Sequence, residues 1–198
     1  MNHYFKSNEN LKHSKTETEY IYKSERFNFV TDAGVFSKTG VDYATDILLG
    51  QLPELSGEVL DLGCGFGCVG VVLAKIYGGK ISVTMSDINA RAVGLAAENA
   101  EKNGVRAAAV ISDGFAHIPE SFDAIILNPP IHAGKQAVYK IYLEARAHLK
   151  QGGRFFIVIQ KKHGAASHRQ KLGEIFGPGN VTVLYSKKGV FIFDLLKN

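Results

Sequence analysis

The sequence predicts an α/β fold in which helices cover both faces of a mostly parallel β-sheet. From Glu58 onward, short apolar strand candidates alternate with helical candidates, and a glycine-rich loop joins the first strand to the first helix. The chain ends in two apolar segments separated by a polar turn. Alternating strands and helices are typical of a parallel sheet, whereas two strands joined by a short turn form an antiparallel hairpin.

Each strand candidate is a short run of apolar residues. These runs cover residues 58–62, 81–86, 107–111, 122–127 and 153–159. The helical candidates between them cover residues 67–77, 89–102 and 137–149. The final hairpin has strands at residues 181–185 and 190–195, with a Ser-Lys-Lys-Gly turn between them.

The N-terminal part of the chain lies outside this regular alternation. Residues 1–24 are polar and mixed in charge, which predicts a solvated extension or short irregular structure ahead of a domain over residues 25–198. Residues 26–30 alternate between polar and apolar side chains, as a strand does. A helix is predicted from Val41 to Gln51, and Pro53 ends it.

The composition is that of one ordinary globular domain. A chain of 198 residues with 45% hydrophobic content can bury a sizeable core. Its net charge of +4 and its pI near 9.0 permit a nucleic-acid partner without requiring one. No signal-peptide core is present at the N-terminus, and no segment approaches the roughly 18 apolar residues of a membrane span. The sequence therefore predicts a cytoplasmic protein with no membrane partner.

Both cysteines, Cys64 and Cys68, lie within the glycine-rich stretch. This placement disfavours a disulfide framework and indicates a reducing compartment. The surrounding residues offer no obvious second pair of ligands, so no metal site is predicted. We interpret both side chains as small apolar packing groups.

The glycine-rich loop is suited to holding a nucleotide-like ligand. Gly63, Gly65 and Gly67 let the backbone take positive φ and let a ligand lie against the main chain. The following helix offers unpaired N–H groups at its N-terminus. Because residues 65–70 also match the G-x-G-x-x-G pattern of dinucleotide-binding proteins, the loop by itself leaves a nicotinamide cofactor and S-adenosylmethionine both open.

An acidic residue, Asp87, ends the strand that follows this loop, with Ile88 directly after it. A carboxylate at this position can accept hydrogen bonds from both ribose hydroxyls of a nucleoside. The alternative is that Asp87 caps the helix beginning near Asn89. The coincidence of Asp87 with the glycine-rich loop favours the nucleoside, without choosing between the two cofactors.

The most specific motif is Asn128-Pro129-Pro130, which follows the apolar run at 122–127 directly. The prolines fix φ and restrict the residue before each of them, which makes a stiff platform. The side-chain oxygen of Asn128 and the carbonyl of Pro129 can accept both hydrogens of one exocyclic amine. The nitrogen lone pair then faces a methyl donor. This preorganisation lowers the barrier to methyl transfer by several kcal/mol. The alternative is a rigid Pro-Pro turn that Asn128 caps.

With its parallel core and terminal hairpin, the chain resembles the class I S-adenosylmethionine-dependent methyltransferases. The resemblance implies a Rossmann-like fold with a mostly parallel seven-stranded sheet, a C-terminal antiparallel hairpin and S-adenosylmethionine as cofactor. It places Asp113 at the adenine amine and Asp61 near the amino-acid end of the cofactor. The cofactor-binding residues it implies are Asp61, Gly63, Gly65, Gly67, Asp87, Ile88, Asp113, Gly114 and Asn128.

The residues after the Asn-Pro-Pro motif narrow this resemblance. The Asn-Pro-Pro motif is followed by a variable residue, here Ile131, then by His132 and a pair of small residues. This pattern resembles that of the ribosomal RNA guanine-N2 methyltransferases, particularly those that act on the small subunit. The Gly-Val-Phe-Ser segment at residues 34–37 is also similar to that family. In the adenine and glutamine methyltransferases, the residue directly after Asn-Pro-Pro is usually aromatic, whereas here it is Ile131. The resemblance implies Asn128, Pro129, Pro130 and His132 as the catalytic residues.

Four further residues are candidates for substrate binding: Phe36, Ile131, Lys161 and Lys162. Phe36 either covers the target base as an aromatic lid or belongs to the core. His132 either contacts the guanine or packs beneath its loop, and the two lysines either meet RNA phosphates or belong to a solvated surface. Ribosomal RNA or the small ribosomal subunit is the implied partner, and the oligomeric state stays open.

The sequence thus predicts methyl transfer from S-adenosylmethionine to the N2 amine of a guanine in 16S ribosomal RNA. Within the same class, a protein glutamine or a DNA base is the alternative acceptor. A nicotinamide-dependent oxidoreductase explains the glycine-rich loop and Asp87 but leaves the Asn-Pro-Pro motif without a role. A non-catalytic ribosome-assembly factor that keeps the fold is a further alternative.

Overall fold

A computed structural model describes residues 12–37 and 39–198. In chain order, the strands are β1 (Thr16–Tyr22), β2 (Glu25–Thr31), β3 (Gly57–Leu62), β4 (Ile81–Asp87), β5 (Ala108–Ile111), β6 (Phe122–Leu127), β7 (Leu149–Gln160), β8 (Val181–Lys187) and β9 (Val190–Leu196). The α-helices are α1 (Tyr43–Gln51), α2 (Cys68–Tyr77), α3 (Ala90–Lys102), α4 (Lys135–His148) and α5 (Ala165–Phe176). Short 3-10 helices cover Gly78–Lys80, Ile131–Ala133, Lys161–His163 and Pro178–Asn180.

Strands β3 to β9 form one sheet in the order β5-β4-β3-β6-β7-β9-β8. Strands β3 to β7 run parallel, and β9 pairs antiparallel with both β7 and β8. The predicted parallel sheet with a terminal antiparallel hairpin is confirmed. From β3 the chain moves outward through β4 and β5 and then returns to β6 on the other side. Such a reversal opens a ligand-binding crevice at the carboxyl ends of the strands.

The sheet is buried on both faces, which explains why its strands are continuous apolar runs. Along β6, Ala124 and Ile126 point to the face covered by α1, α2 and α3, whereas Ile125 and Leu127 point to the face covered by α4 and α5. This alternation follows from the two-residue period of a strand. A mostly apolar sequence satisfies both faces, with Asp61 of β3 and Ser86 of β4 as buried polar exceptions.

The prediction of a solvated or irregular segment is wrong for residues 16–22, because these residues form strand β1. They pair antiparallel with β2 from Thr16 opposite Thr31 to Tyr22 opposite Glu25. Threonine and tyrosine have high strand propensity, and every second side chain of β1 is partly buried. The interleaved glutamates gave the segment a polar composition that obscured this period. Residues 1–11 lie outside the described part, and a domain boundary at residue 24 stays a prediction.

Helix α5 is a second element that the sequence analysis did not predict. Its buried stripe consists of Ala165, His168, Leu172 and Phe176, spaced as one helix face requires. His168 interrupts the apolar pattern, yet it is buried because its Nδ1 lies 2.7 Å from the hydroxyl of Tyr142 on α4. Part of the basic cluster near residue 168 therefore belongs to the core.

Two asparagines, Asn99 within α3 and Asn103 at its C-cap, hold the β1–β2 hairpin against the sheet. Asn99 accepts from the backbone N–H of Val30 at 2.7 Å and donates to the Val30 carbonyl at 2.9 Å. It also donates to the carbonyl of Phe66 at 2.8 Å. One turn later, Asn103 makes the same pair of bonds with Asn28, at 3.0 and 2.9 Å. The two side chains thus serve the free edge of β2 as a neighbouring strand would.

Replacing Asn99 by alanine is expected to lower the free energy of unfolding by roughly 3 to 5 kcal/mol, because three buried backbone groups lose their partners. Urea denaturation measures this change. The Asn103→Ala variant is the matched control, with an expected loss of about 1 kcal/mol, because water can replace its bonds to the exposed Asn28. Equal losses in the two variants would contradict this account of the hairpin.

Candidate active site

A cleft of about 460 Å³ opens at the carboxyl ends of the central strands. Its volume lies within the range of small-molecule sites. The strand register explains its position: Leu62 of β3 lies opposite both Ser86 of β4 and Leu127 of β6. The carboxyl ends of the three strands therefore meet, and Gly63, Asp87 and Asn128 line the same opening.

The alternating glycines of the loop have two different roles. Gly63, Gly65 and Gly67 have φ values of 68°, 55° and 84°. A Cβ on Gly65 would meet no atom within 4 Å, so a ligand can lie directly over this backbone, whereas a Cβ on Gly67 would lie 2.9 Å from Cα of Ala96. Gly67 does not line the cleft, and it lets α2 approach α3 closely. Its contact with the cofactor stays a prediction.

Asp87 anchors the loop while lining the cleft. Its Oδ2 accepts from the N–H of Gly65 and its Oδ1 accepts from the N–H of Asn89, both at 2.9 Å. The cap of α3 is Asn89, whose side chain accepts from the N–H of Arg91 at 3.0 Å. Burial raises the pKa of the Asp87 carboxyl. The alternative role of Asp87 as the helix cap is therefore taken by Asn89.

Asp61 gives the inner end of the cleft an unusual carboxyl group. The residue is buried, and its Oδ2 accepts from the N–H of Gly70 at 2.8 Å. Burial, together with the nearby Asp87, raises its pKa to about 7. A cation placed beside this group favours its ionised form, so this end of the cleft suits the ammonium group of an amino acid. The remaining predicted cofactor residues, Ile88, Asp113 and Gly114, also line the cleft.

The side chain of Asn128 is oriented by helix α1. Its Nδ2 donates to Oγ1 of Thr45 at 3.0 Å and, at 3.4 Å, to Oδ2 of Asp42. Both contacts use the amino end of the amide. Oδ1 is therefore the end that can accept a hydrogen bond from a ligand in the cleft.

The turn after Asn128 is stiff. The carbonyl of Pro129 accepts from the N–H of Ile131 at 2.8 Å, and Pro130 has φ −74° and ψ 76°, the geometry of an inverse γ-turn. The Pro130 carbonyl then accepts from Ala133 at 2.9 Å and starts the short helix Ile131–Ala133. A carbonyl oxygen has two lone pairs, so the Pro129 oxygen can accept a second hydrogen bond from a ligand.

Phe36 lies at the cleft and not in the core. Its side chain is 63% exposed, whereas its neighbour Val35 is buried. Two side chains hold the loop beneath it: Arg91 donates to the Ala33 carbonyl at 2.6 Å, and Asn89 donates to the Gly34 carbonyl at 3.1 Å. An exposed aromatic ring on an anchored loop can cover a flat ligand.

His132 and His163 approach each other across the cleft rim, with ring centroids 6.3 Å apart. His132 is exposed, so packing beneath its loop does not describe it. Burial lowers the pKa of His163, with contributions from Lys162 and His132. His163 and Gln160 also line the cleft, although the sequence analysis did not select them. Gln160 ends the apolar strand β7, and His163 lies three residues later. Their position at the carboxyl end of an apolar strand is the sequence feature that could have identified them.

Lys161 and Lys162 stand beyond the cleft lining, exposed in the short helix after β7. The N–H of Lys161 donates to the carbonyl of Gly189 at 2.8 Å and so joins this helix to the β8–β9 turn. That turn carries Lys187 and Lys188. Within the described residues, none of these four lysines forms an ion pair with a carboxylate.

Residues 12–37 and 39–198 contain no group of three or more His, Cys, Asp and Glu side chains that could hold a metal ion. Across the same residues, none of the helices is both long and apolar enough to span a membrane. Cys64 and Cys68 are both buried with free thiols, as expected of packing residues.

Comparison with known proteins identifies the family. Residues 26–194 match the model of the methyltransferase small domain. The chain belongs to this family. Its cofactor is S-adenosylmethionine, and the glycine-rich loop with open space over Gly65 is suited to holding it. The alternative of a nicotinamide-dependent oxidoreductase is therefore wrong.

Individual relatives of this methyltransferase differ in length. It is 39% identical over 200 residues to the "Uncharacterized protein YbxB" of Bacillus subtilis (strain 168), covering 98% of each chain. It is 40% identical over 144 residues to the ribosomal RNA small subunit methyltransferase C of Hahella chejuensis, covering 70% of this chain and 42% of the relative. The chain thus spans less than half the length of that relative.

A solved structure confirms the predicted Rossmann-like methyltransferase fold. This is the T. thermophilus 16S rRNA N2 G1207 methyltransferase in complex with AdoMet and guanosine. The superposition has a TM-score of 0.82 at 26% sequence identity, and it covers 93% of this chain and 51% of the other.

Proposed function

We propose that this methyltransferase transfers the methyl group of S-adenosylmethionine to the N2 amine of a guanine in 16S ribosomal RNA. The orientation of Asn128 carries the proposal, because its amino end is bound to Thr45 and its oxygen is left for a ligand. The names of the relatives from Hahella chejuensis and T. thermophilus support ribosomal RNA as the substrate class. A ribosomal substrate also agrees with the cytoplasmic location predicted from the sequence.

Two acceptors near one point select a group with two N–H bonds. The Oδ1 of Asn128 and the carbonyl oxygen of Pro129 would each accept one hydrogen of an exocyclic amine. Holding both hydrogens takes the nitrogen lone pair out of conjugation with the ring and makes the nitrogen nucleophilic. Preorganisation of this kind lowers the activation barrier of a transfer reaction by several kcal/mol.

The cofactor supplies an electrophilic methyl group on sulfur. A C–N bond to the amine forms as the C–S bond breaks, and the methylated nitrogen then loses one proton to water. This proton is acidic because the nitrogen is positively charged at that stage. Asn128 and Pro129 hold the amine throughout and do not themselves exchange a proton.

The cleft rim suits a flat base that has left its stack. Enzymes that modify nucleobases take the base out of the helix and read it by stacking and by hydrogen bonds. Phe36 presents an exposed aromatic ring at the opening, and Ile131 and His132, directly after the Asn-Pro-Pro motif, also line the cleft. We assign all three to contacts with the guanine.

A protein glutamine or a DNA base is the rival acceptor, since each also presents an –NH2 group to the two acceptors. The non-aromatic Ile131 disfavours the glutamine assignment. This is a preference from residue type, and a direct assay separates the substrates.

The test offers purified protein and labelled S-adenosylmethionine to small subunits, large subunits, deproteinised ribosomal RNA, DNA and glutamine-containing proteins. Mass spectrometry then identifies the modified residue. We expect N2-methylguanosine from small-subunit RNA or from the assembled subunit. Label in DNA or protein, with none in RNA, would overturn the proposal while leaving the family assignment intact.

Charge reversal at Lys161 or Lys162 is expected to raise the KM for ribosomal RNA by about tenfold. The loss of one phosphate contact should also reduce the slope of log affinity against log salt concentration by about one. Steady-state kinetics at several salt concentrations measure both quantities. The control is Arg106→Glu, which changes charge equally at the opposite edge of the sheet, just before β5. A similar rise in KM for the Arg106 variant would indicate a general charge effect.

A further inference from the structure

We propose that Asp42 and Thr45 are positioning residues that fix which end of the Asn128 amide faces the substrate. This inference rests on the proposed transfer to an amine and adds the device that orients its acceptor. Thr45 is buried, and its hydroxyl forms a hydrogen bond with Oδ2 of Asp42. The same hydroxyl lies 3.0 Å from Nδ2 of Asn128.

Asp42 determines which group donates in each of the hydrogen bonds that link Asp42, Thr45 and Asn128. An ionised carboxylate only accepts hydrogen bonds, so the Thr45 hydroxyl must give its hydrogen to Asp42. The Thr45 oxygen is then left as an acceptor, and the only group of Asn128 that can donate to it is the –NH2. The amide oxygen is thereby turned to the cleft.

Asp42 is itself fixed by helix α1. It is the N-cap of that helix, and its Oδ1 accepts from the N–H groups of Ala44 and Thr45 at 3.0 and 3.4 Å. The helix packs against β7 and β9. The orientation of Asn128 therefore depends on an element that contributes no residue to the glycine-rich loop.

These linked hydrogen bonds also determine which chemical class of group can receive the methyl group. With Oδ1 in the cleft, the site binds a group that donates, such as an exocyclic amine. With the amide reversed, it would present an –NH2 group and bind a carbonyl oxygen or a ring nitrogen instead. Asp42 and Thr45 thus favour groups that donate hydrogen bonds, such as amines, through the orientation that they impose on Asn128.

Asp42→Asn tests this inference while conserving the helix cap, because asparagine caps helices as well as aspartate does. The new –NH2 group would donate to the Thr45 oxygen, and the Thr45 hydrogen would turn to Asn128. The amide of Asn128 would then reverse. We expect kcat for RNA methylation to fall about 100-fold, with KM for RNA, affinity for S-adenosylmethionine and melting temperature close to wild type.

Two variants of Thr45 and one control complete the experiment. Thr45→Val is expected to lower kcat about tenfold, a smaller loss, because Asp42 Oδ2 already lies 3.4 Å from Nδ2 of Asn128 and can accept directly. Thr45→Ser keeps the hydroxyl and should restore wild-type kcat. Asp46→Asn makes the same change of charge on the same helix, where the carboxylate binds the Tyr20 hydroxyl, and should leave kcat unchanged.

Wild-type kcat for Asp42→Asn, or equal losses for the valine and serine variants, would overturn the inference. A wild-type protein that methylates no RNA would instead contradict the proposed function. If the wild type methylates a glutamine or a DNA base, the same variants are measured on that acceptor, and the expected order of kcat values is unchanged.

Discussion

The Asn128→Ala variant is expected to lose methyl transfer by about 10³-fold, comparable to removing one preorganised group from an active site. Alanine removes the acceptor oxygen, so one hydrogen of the amine stays unbound and the lone pair keeps its conjugation. Affinity for S-adenosylmethionine should fall by less than about tenfold, the contribution of a single hydrogen bond. Transfer of labelled methyl groups and calorimetric titration with the cofactor measure the two quantities.

The control for this variant is Asn180→Ala, which removes an equal side chain that bonds to Phe176 and Asn198, away from the cleft. Methyl transfer by Asn128→Ala at the wild-type rate would contradict the proposed role of Asn128. A variant that loses transfer but keeps the biological effect of the wild type in cells would favour the ribosome-assembly alternative.

The Asp87→Ala variant is expected to bind S-adenosylmethionine about 100-fold more weakly. A carboxylate that accepts from both ribose hydroxyls makes two charge-assisted bonds, each contributing about 1.5 to 3 kcal/mol. The same substitution frees the N–H of Gly65, which Asp87 binds at 2.9 Å, and so loosens the loop. Calorimetric titration measures the dissociation constant, and turnover should recover in part at high cofactor concentration.

Asp123→Ala is the matched control, because Asp123 also binds a backbone N–H, that of Glu58, at 2.7 Å. It lies near the amino end of β6, at the end of the strand opposite the cleft, and pairs with Lys150. We expect this variant to lose stability without a change in cofactor affinity. Unchanged affinity in Asp87→Ala would show that the loop backbone alone holds the nucleoside.

The local parts of the site could be predicted because their determinants are contiguous in sequence. Gly63 and Gly65 occupy conformations that favour glycine, and Asn128 with its two prolines forms a platform from adjacent residues. The order of strands and helices followed from apolar runs, since a strand buried on both faces has no polar alternation. These features needed no knowledge of distant contacts.

Strand β1 and helix α5 escaped prediction because tertiary contacts offset an unfavourable local composition. Strand β1 has glutamates along one side, and it is held by pairing with β2 and by the contacts of that strand with Asn99. Helix α5 contains a buried histidine, His168, whose Nδ1 lies within hydrogen-bond distance of the hydroxyl of Tyr142 on α4. In both elements, a contact from another helix completes the stabilisation: Asn99 of α3 holds the β1–β2 hairpin through Val30, and Tyr142 of α4 holds His168.

The sequence by itself determined the α/β class, the glycine-rich loop, the acidic residue Asp87 at the end of β4 and the Asn-Pro-Pro motif after β6. Only the tertiary structure decided that Gly67 serves packing, that Phe36 is exposed at the cleft and that the Asn128 oxygen is free for the substrate. The last point depends on Thr45, which lies 83 positions earlier in the chain. A side-chain amide has two ends of nearly equal shape, and only the groups packed around it decide which end faces the ligand.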